Sequence, residues 1–317
     1  MASIRGKITK MYLGKVGNLN PKKTPNPVEK MSKLWNNINN DKKPFGYSLE
    51  KCATSKGTLY EKVYKTGEEK NGRVIYYLHG GAYISGLLSI YRKLSPQFYK
   101  AAGVETIFLD YKCAPEYKYP TQLNEAIDVW DDLISQGYKP KDIIVGGDSA
   151  GANLALAFLL KLRDEGREMP LACFCFSAWA DMTGKGESYK NNYPHDILFG
   201  EIGRNASIED EEELLNSEIY SFIGDADRHD PYVSPVYGEY HNFPPMYFTV
   251  GGHEMLLDDT LTVVKKLKEK GVEVGLDVQK EMFHIYPLYG MFVPEGRKSF
   301  LMTMDFINNK FIEHEKK

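Results

Sequence analysis

Residues 143–162 read Ile-Ile-Val-Gly-Gly-Asp-Ser-Ala-Gly-Ala-Asn-Leu-Ala-Leu-Ala-Phe-Leu-Leu-Lys-Leu. The β-branched run Ile143–Val145 predicts a short buried strand, and the strongly apolar stretch Ala152–Leu162 predicts a helix ending near Gly166. Between them lies Gly147-Asp148-Ser149-Ala150-Gly151, a G-x-S-x-G pattern at a strand-to-helix turn. In such an elbow the serine occupies a sharp, strained turn and its Oγ projects above the sheet. Glycines flank it because a Cβ at either position would run into the adjoining strand and helix. Ser149 is therefore the candidate nucleophile. The next amide, Ala150 N–H, lies at the helix N-terminus, where it can stabilise a developing oxyanion.

Working outward from the elbow, strands and helices alternate. The runs Val74–Leu78, Val104–Leu109, Leu171–Phe176, Met246–Val250 and Val272–Val278 read as strands, with a β-rich stretch at Leu59–Lys65. Leu123–Ile134, about Asp258–Lys270 and Lys298–Phe311 read as helices, the first two stopped by Gly137 and Gly271. This order predicts an α/β fold, a mostly parallel central sheet with helices on both faces. Two stretches break the rhythm. Residues 1–45 hold Pro21, Pro25, Pro27 and Pro44, with Met31–Ile38 the best helix candidate, and residues 184–235 show no clear strand.

The chain has 317 residues, 42% hydrophobic and 26% charged, a globular composition. Its net charge of −3 points to no nucleic-acid partner. The longest unbroken apolar run, Leu154–Leu160, is far short of the roughly 20 residues of a spanning helix. No apolar segment follows the basic N-terminal residues, so no secretory signal is visible, and a cytoplasmic protein without a membrane partner is expected. Four cysteines, Cys52, Cys113, Cys173 and Cys175, are too few for a disulfide scaffold, and no thiol or histidine cluster has metal-ligand spacing. The small net charge conceals an asymmetry: residues 1–50 sum to about +7, leaving about −10 for the rest, and Ser207–Glu218 holds six acids and no Lys or Arg.

After the strand Val74–Leu78 comes His79-Gly80-Gly81-Ala82. Backbone N–H groups are fixed donors, and glycines let them approach a substrate closely. His79 is expected to order this loop and not to act as a base. In the elbow and this loop the chain resembles the hormone-sensitive-lipase-like family of α/β-hydrolases. That family carries H-G-G-G before the elbow, with Ala82 here at the fourth position. Further matches are Asp110-Tyr111-Lys112-Cys113-Ala114-Pro115-Glu116 with Pro120, Ser177-Ala178-Trp179-Ala180-Asp181, and Asp230-Pro231-Tyr232-Val233-Ser234-Pro235. The resemblance runs from about residue 45 to the C-terminus. It implies an α/β-hydrolase fold, ester hydrolysis on short acyl chains, no cofactor, and an oxyanion hole from the N–H groups of Gly81, Ala82 and Ala150. Family members often dimerise through a sheet edge, so a homodimer is the assembly the resemblance admits.

In α/β-hydrolases the triad order is Ser, acid, His. Of seven histidines, His284 alone falls after the last strand and before the terminal helix. The acid must follow Met246–Val250, where the sequence is Gly251-Gly252-His253-Glu254-Met255-Leu256-Leu257-Asp258-Asp259. Set against the family pattern D-P-L-x-D-E, Glu254 takes the catalytic position. Asp258 and Asp259 are the alternatives, with a sufficient role in a first helical turn, and Asp230 is a remote one.

The resemblance also implies a helical cap, here from residues 1–45 and an insertion at about 184–225, the hydrolase domain spanning 46–317. The basic first part and acidic second part are expected to attract each other. Tyr83 and Asp148 are expected beside the substrate. No long exposed apolar helix of an interfacial lipase is evident. A lactonase or amidase on the same triad, and a non-catalytic ligand-binding scaffold, are the competing readings.

Overall fold

Alternation of side chains between two buried faces organises the sheet. The computed structural model describes residues 2–38, 42–69 and 71–316. Its strands are β1 (Tyr47–Ala53), β2 (Leu59–Lys65), β3 (Val74–Leu78), β4 (Glu105–Asp110), β5 (Ile143–Asp148), β6 (Ala172–Phe176), β7 (Met246–Gly251) and β8 (Val274–Gln279). They form one sheet in the order β1-β2-β4-β3-β5-β6-β7-β8. β2 runs antiparallel to β1 and β4, and every other neighbouring pair is parallel. The helices are α1 (Ile4–Val16), α2 (Pro27–Ile38), α3 (Ser95–Ala102), α4 (Thr121–Ser135), α5 (Ala150–Asp164), α6 (Ser188–Asn191), α7 (Ile208–Leu215), α8 (Leu257–Glu269) and α9 (Pro294–Glu315).

In β3, Val74, Tyr76 and Leu78 join the core under α4, α5 and α8, while Ile75 and Tyr77 pack on the opposite side with Phe98 of α3 and Phe300, Met304 and Ile307 of α9. β5 divides in the same way, Ile143 and Val145 to one face and Ile144 to the other. Both faces being covered explains why these strands read as continuous apolar runs. Cys173 and Cys175 of β6 are buried and unbridged. α5 is buried along nearly its whole length, from Ala150 to Leu160, which accounts for the Ala/Leu composition of the most apolar segment in the chain. Among the described residues, no helix is long and apolar enough to cross a membrane.

The first fifty residues form short helices, and besides α2, where the sequence placed its best candidate, they contain α1, capped by Ser3, whose Oγ accepts from Gly6 N–H (3.0 Å). α1 was hidden because its inward side is built on Gly6 and Leu13, while Ile4, Ile8, Met11, Tyr12 and Val16 are exposed. An exposed apolar helix face is thus present where none was expected.

The segment after α1 packs on residues 193–213. Asn18 Nδ2 donates to Ile197 O (3.0 Å) and Gly200 O (3.1 Å), Leu19 N to Leu198 O (2.6 Å), and Asn20 Nδ2 to Phe199 O (2.8 Å) and Tyr193 OH (3.0 Å). The attraction between basic and acidic parts takes the form of Lys22 paired with Asp210 and, at 3.8 Å, Glu213. Asp210 is buried, and its other oxygen accepts from Arg204 at 2.9 Å. The buried amide-to-carbonyl bonds, about 1 kcal/mol each, hold the joint beside this cluster.

The turn from β5 into α5 is tightly packed. A Cβ on Gly147 would lie 2.4 Å from Gly151 O, and one on Gly151 only 2.1 Å from Leu78 O of β3. Gly151→Ala should lower stability by about 3 kcal/mol, read as a lower urea midpoint at unchanged slope. An unchanged midpoint would contradict this packing.

Candidate active site

Ser149 has φ 54° and ψ −121°, in the half of backbone space that an L-residue enters only under constraint. Three elements hold it there. Its N–H donates to Phe176 O at the end of β6 (2.9 Å), and its carbonyl accepts from Ala152 N (3.1 Å), Asn153 N (3.1 Å) and Trp179 N (3.3 Å). A conformation of this kind costs about 1–3 kcal/mol, and the two glycine contacts leave no room for the turn to relax. The Ala150 N–H, first in α5, is one of the helix-start donors that lack an intrahelical acceptor.

The ends of β7 and β8 supply the next two residues. Glu254 follows β7 and His284 follows β8, and His284 Nδ1–H donates to Glu254 Oε2 at 2.8 Å. Glu254 is fully buried, whereas Ser149 and His284 keep 6% and 8% exposure, so only those two can meet a substrate. Burial disfavours the imidazolium. The hydrogen bond and charge of Glu254, helped by Asp196 and Asp148, outweigh burial and hold the His284 pKa above its ordinary value. The acid is itself fixed: Glu254 Oε1 accepts from Gly251 N–H and from Ser177 Oγ (2.8 Å). Ser177 Oγ in turn accepts Ile285 N–H (2.9 Å), so one hydroxyl ties Glu254 to the residue beside His284. Sequence reading found Ser177 only as part of a motif. Its positive φ of 51° gives no sequence signal, because the residue is not glycine.

The other carboxylates have different partners. Asp258 accepts from Ser188 N–H (2.8 Å), and Asp259 from the N–H groups of Ala180 and Asp181 (both 2.9 Å). Burial, with Asp181 beside it, pushes the Asp259 carboxyl well up. Asp230 accepts from Tyr119 OH (3.0 Å) and Tyr232 N–H (2.8 Å).

Opposite the elbow, the loop after β3 has an unusual backbone: Gly81, Ala82 and Tyr83 all have positive φ, 120°, 52° and 60°. Among the described residues, the Gly81 and Ala82 N–H groups donate to no protein acceptor. His79 is fully buried. Its Nδ1–H donates to Gly80 O (2.7 Å), its ring stacks on Tyr111 at 4.1 Å, and burial pushes its pKa down to about 4. It is a neutral structural group, as expected. Asp148, expected beside the substrate, is instead turned beneath the loop. It accepts from Tyr77 OH (2.9 Å), Tyr91 OH (3.0 Å) and Gly80 N–H (3.1 Å), and no oxygen is left over for a ligand. Tyr83 is likewise committed: its OH donates to Asn153 Oδ1 (2.7 Å) and its ring stacks on Phe222 at 4.2 Å.

A serine on a sharp turn, a carboxylate-bound histidine and open amides at neighbouring strand ends define a hydrolase-type site. A profile of the alpha/beta hydrolase fold matches residues 75–288. The acetyl-hydrolase of Streptomyces hygroscopicus is 33% identical over 238 residues, 75% of this chain and 76% of its own length. The esterase of Acinetobacter venetianus is 33% identical over 235 residues, 74% of each. The crystal structure of EstE5 soaked with p-nitrophenyl butyrate has a TM-score of 0.84 at 28% identity, covering 98% of this chain and all of that one. An esterase from the bacterial hormone-sensitive lipase family has a TM-score of 0.83 at 27% identity, covering 98% of this chain and 99% of its own. The chain belongs to the α/β-hydrolase family, and within it to the hormone-sensitive-lipase-like group.

An NMR titration of the His284 ring should show a midpoint above the ordinary value of about 6.5. In Glu254→Gln the imidazolium loses its charge partner, so the midpoint should fall. Equal midpoints in the two proteins would separate Glu254 from His284 electrostatically.

Proposed function

We propose that this chain is a serine carboxylesterase for short-chain acyl esters. The observation that carries this reading is the Glu254–His284 hydrogen bond at the same end of the parallel strands as the strained elbow of Ser149. Ser149 Oγ attacks the ester carbonyl as its proton passes to His284 Nε2. Glu254 fixes the imidazole tautomer and stabilises the imidazolium. The N–H groups of Gly81, Ala82 and Ala150 hold the tetrahedral oxyanion. As the intermediate collapses, the C–O bond to the alcohol breaks, and the alcohol leaves with the proton from His284. Water, deprotonated by His284, then attacks the acyl-enzyme, and a second collapse releases the acid and restores Ser149. No step needs a cofactor or metal.

The short-chain preference draws support from relatives. They include the acetyl-hydrolase already described and an ethyl acetate hydrolase of Pseudomonas putida at 26% identity. Residues 1–45 and about 184–225 serve as the cap. In support, Asn192 Nδ2 donates to Glu254 O (2.7 Å), Asp196 accepts Met255 N–H (2.6 Å), and Phe199 brings its ring to 6.4 Å from that of His284. The second segment is thus tied to the acid loop, and with Phe222 on Tyr83 it supplies aromatic rings near both the base and the oxyanion loop. These rings favour small acyl groups.

Activity on p-nitrophenyl esters should be highest for acetate and butyrate and fall for long chains. Ser149→Ala should lower kcat by at least about 10⁴-fold. Glu254→Gln should lose about 10⁴-fold, while Asp258→Asn stays near wild type. The reverse ranking would move the acid to Asp258. Ser177→Ala should lower kcat about 10- to 100-fold at little changed KM, because the acid and base loops lose their shared hydroxyl. An unchanged kcat would remove Ser177 from the positioning machinery.

A further inference from the structure

We propose that α1 is a membrane-surface helix whose outward face seats on a layer of anionic lipid headgroups. Ile4, Ile8, Met11, Tyr12 and Val16 recur at helical spacing on one face, and all five are 48–78% exposed. The helix is held from the other side. Gly6 is buried, Leu13 packs on the cluster of Ile197, Met282, Phe283 and Tyr286, and Lys10 turns inward to donate to His253 Nδ1 (2.7 Å). Five large apolar side chains therefore face water from a helix that is fixed in place. Scattered apolar residues are ordinary on a protein surface, but five large ones gathered on one side of a single helix mark an interaction face.

Charge selects the partner. Between Ile4 and Val16 there is no Asp or Glu, and the exposed charged residues are Arg5, Lys7 and Lys15. Arg5 and Lys15 stand among the apolar residues of this face and Lys7 flanks it, so long cationic side chains that can reach headgroups surround the apolar ones. Each Lys or Arg seated on an anionic surface strengthens binding about fivefold. The rest of the chain, about −10 against +7 for the first fifty residues, is repelled by the same surface, so the molecule is oriented with α1 downward. Met291 and Phe292, just before α9, are exposed as well, and Glu295 in the first turn of α9 accepts the N–H and Oγ–H of Ser3 at the start of α1. A second copy meeting this face through its own α1 would bring like charges together.

The test is co-sedimentation of the full chain with vesicles of equimolar phosphatidylcholine and phosphatidylglycerol, and with neutral phosphatidylcholine vesicles. Binding should be at least about tenfold stronger to the anionic vesicles and weaken about tenfold between ~50 and ~500 mM salt. The double variant Ile8→Asp/Met11→Asp should lose binding at least about tenfold at an unchanged thermal midpoint. Three results would overturn the proposal: no binding to anionic vesicles, equal binding to both vesicles, or undiminished binding by the double variant. So would self-association in sedimentation velocity that the double variant abolishes, because the face would then be a contact between copies.

Discussion

The left-handed backbone of Ser149 is the constraint on which the rest of the site depends. A serine does not adopt φ 54° by preference. It is forced to by β5 ending where α5 begins, with Gly147 and Gly151 in contact and Leu78 O of β3 pressed against Gly151. The same turn then fixes its neighbours. Asp148, one residue earlier, accepts the Gly80 N–H, so the loop bearing the Gly81 and Ala82 amides is tied to the elbow by a buried carboxylate. Burial pushes that carboxyl up to about 6, while the hydroxyls of Tyr77 and Tyr91 and the Gly80 N–H oppose the shift. The candidate nucleophile and the proposed oxyanion donors are thus positioned by one connected piece of structure.

The proposed acid and base come from a second piece. Glu254 and His284 stand on loops after β7 and β8, and their geometry rests on Ser177, which follows β6. The three loops meet because β5 to β8 are parallel neighbours whose C-terminal ends lie side by side. This is the location where ligands bind in open α/β sheets. A glutamate at this position reaches further than an aspartate. It uses that length to bond back to Gly251 N–H and forward to His284. Arranged this way, the carboxylate has no freedom left when an imidazolium forms beside it, which is the condition for stabilisation without reorganisation.

How much of this was legible in the sequence depended on the range of the interactions. The elbow was readable because strand, glycines, serine and helix are contiguous. His284 was readable from chain order, and Glu254 from its place after β7 with the help of a family pattern. The role of Ser177 was not, because its partners are 77 and 108 residues away. Asp148 was assigned to the wrong side: adjacency to Ser149 says nothing about which way a side chain turns at a strained residue, and two tyrosines and an amide below the loop claim both of its oxygens. α1 was harder to read because its apolar and cationic residues are mixed round the helix, which leaves almost no hydrophobic periodicity. β4 and β8 were each displaced by a residue or two at their ends, an ordinary boundary effect.

These pieces describe an α/β-hydrolase in which a strained serine, an acid–base pair and open amides are held by separate contacts that converge on one end of a parallel sheet. The central claim is that Ser149 is an activated nucleophile and not merely a serine in a tight turn. Intact-protein mass spectrometry after treatment with a fluorophosphonate probes this directly. The account predicts one adduct per chain, mapped by peptide sequencing to Ser149 and absent from His284→Ala. No adduct, or an adduct on another residue with Ser149 unmodified, would contradict it.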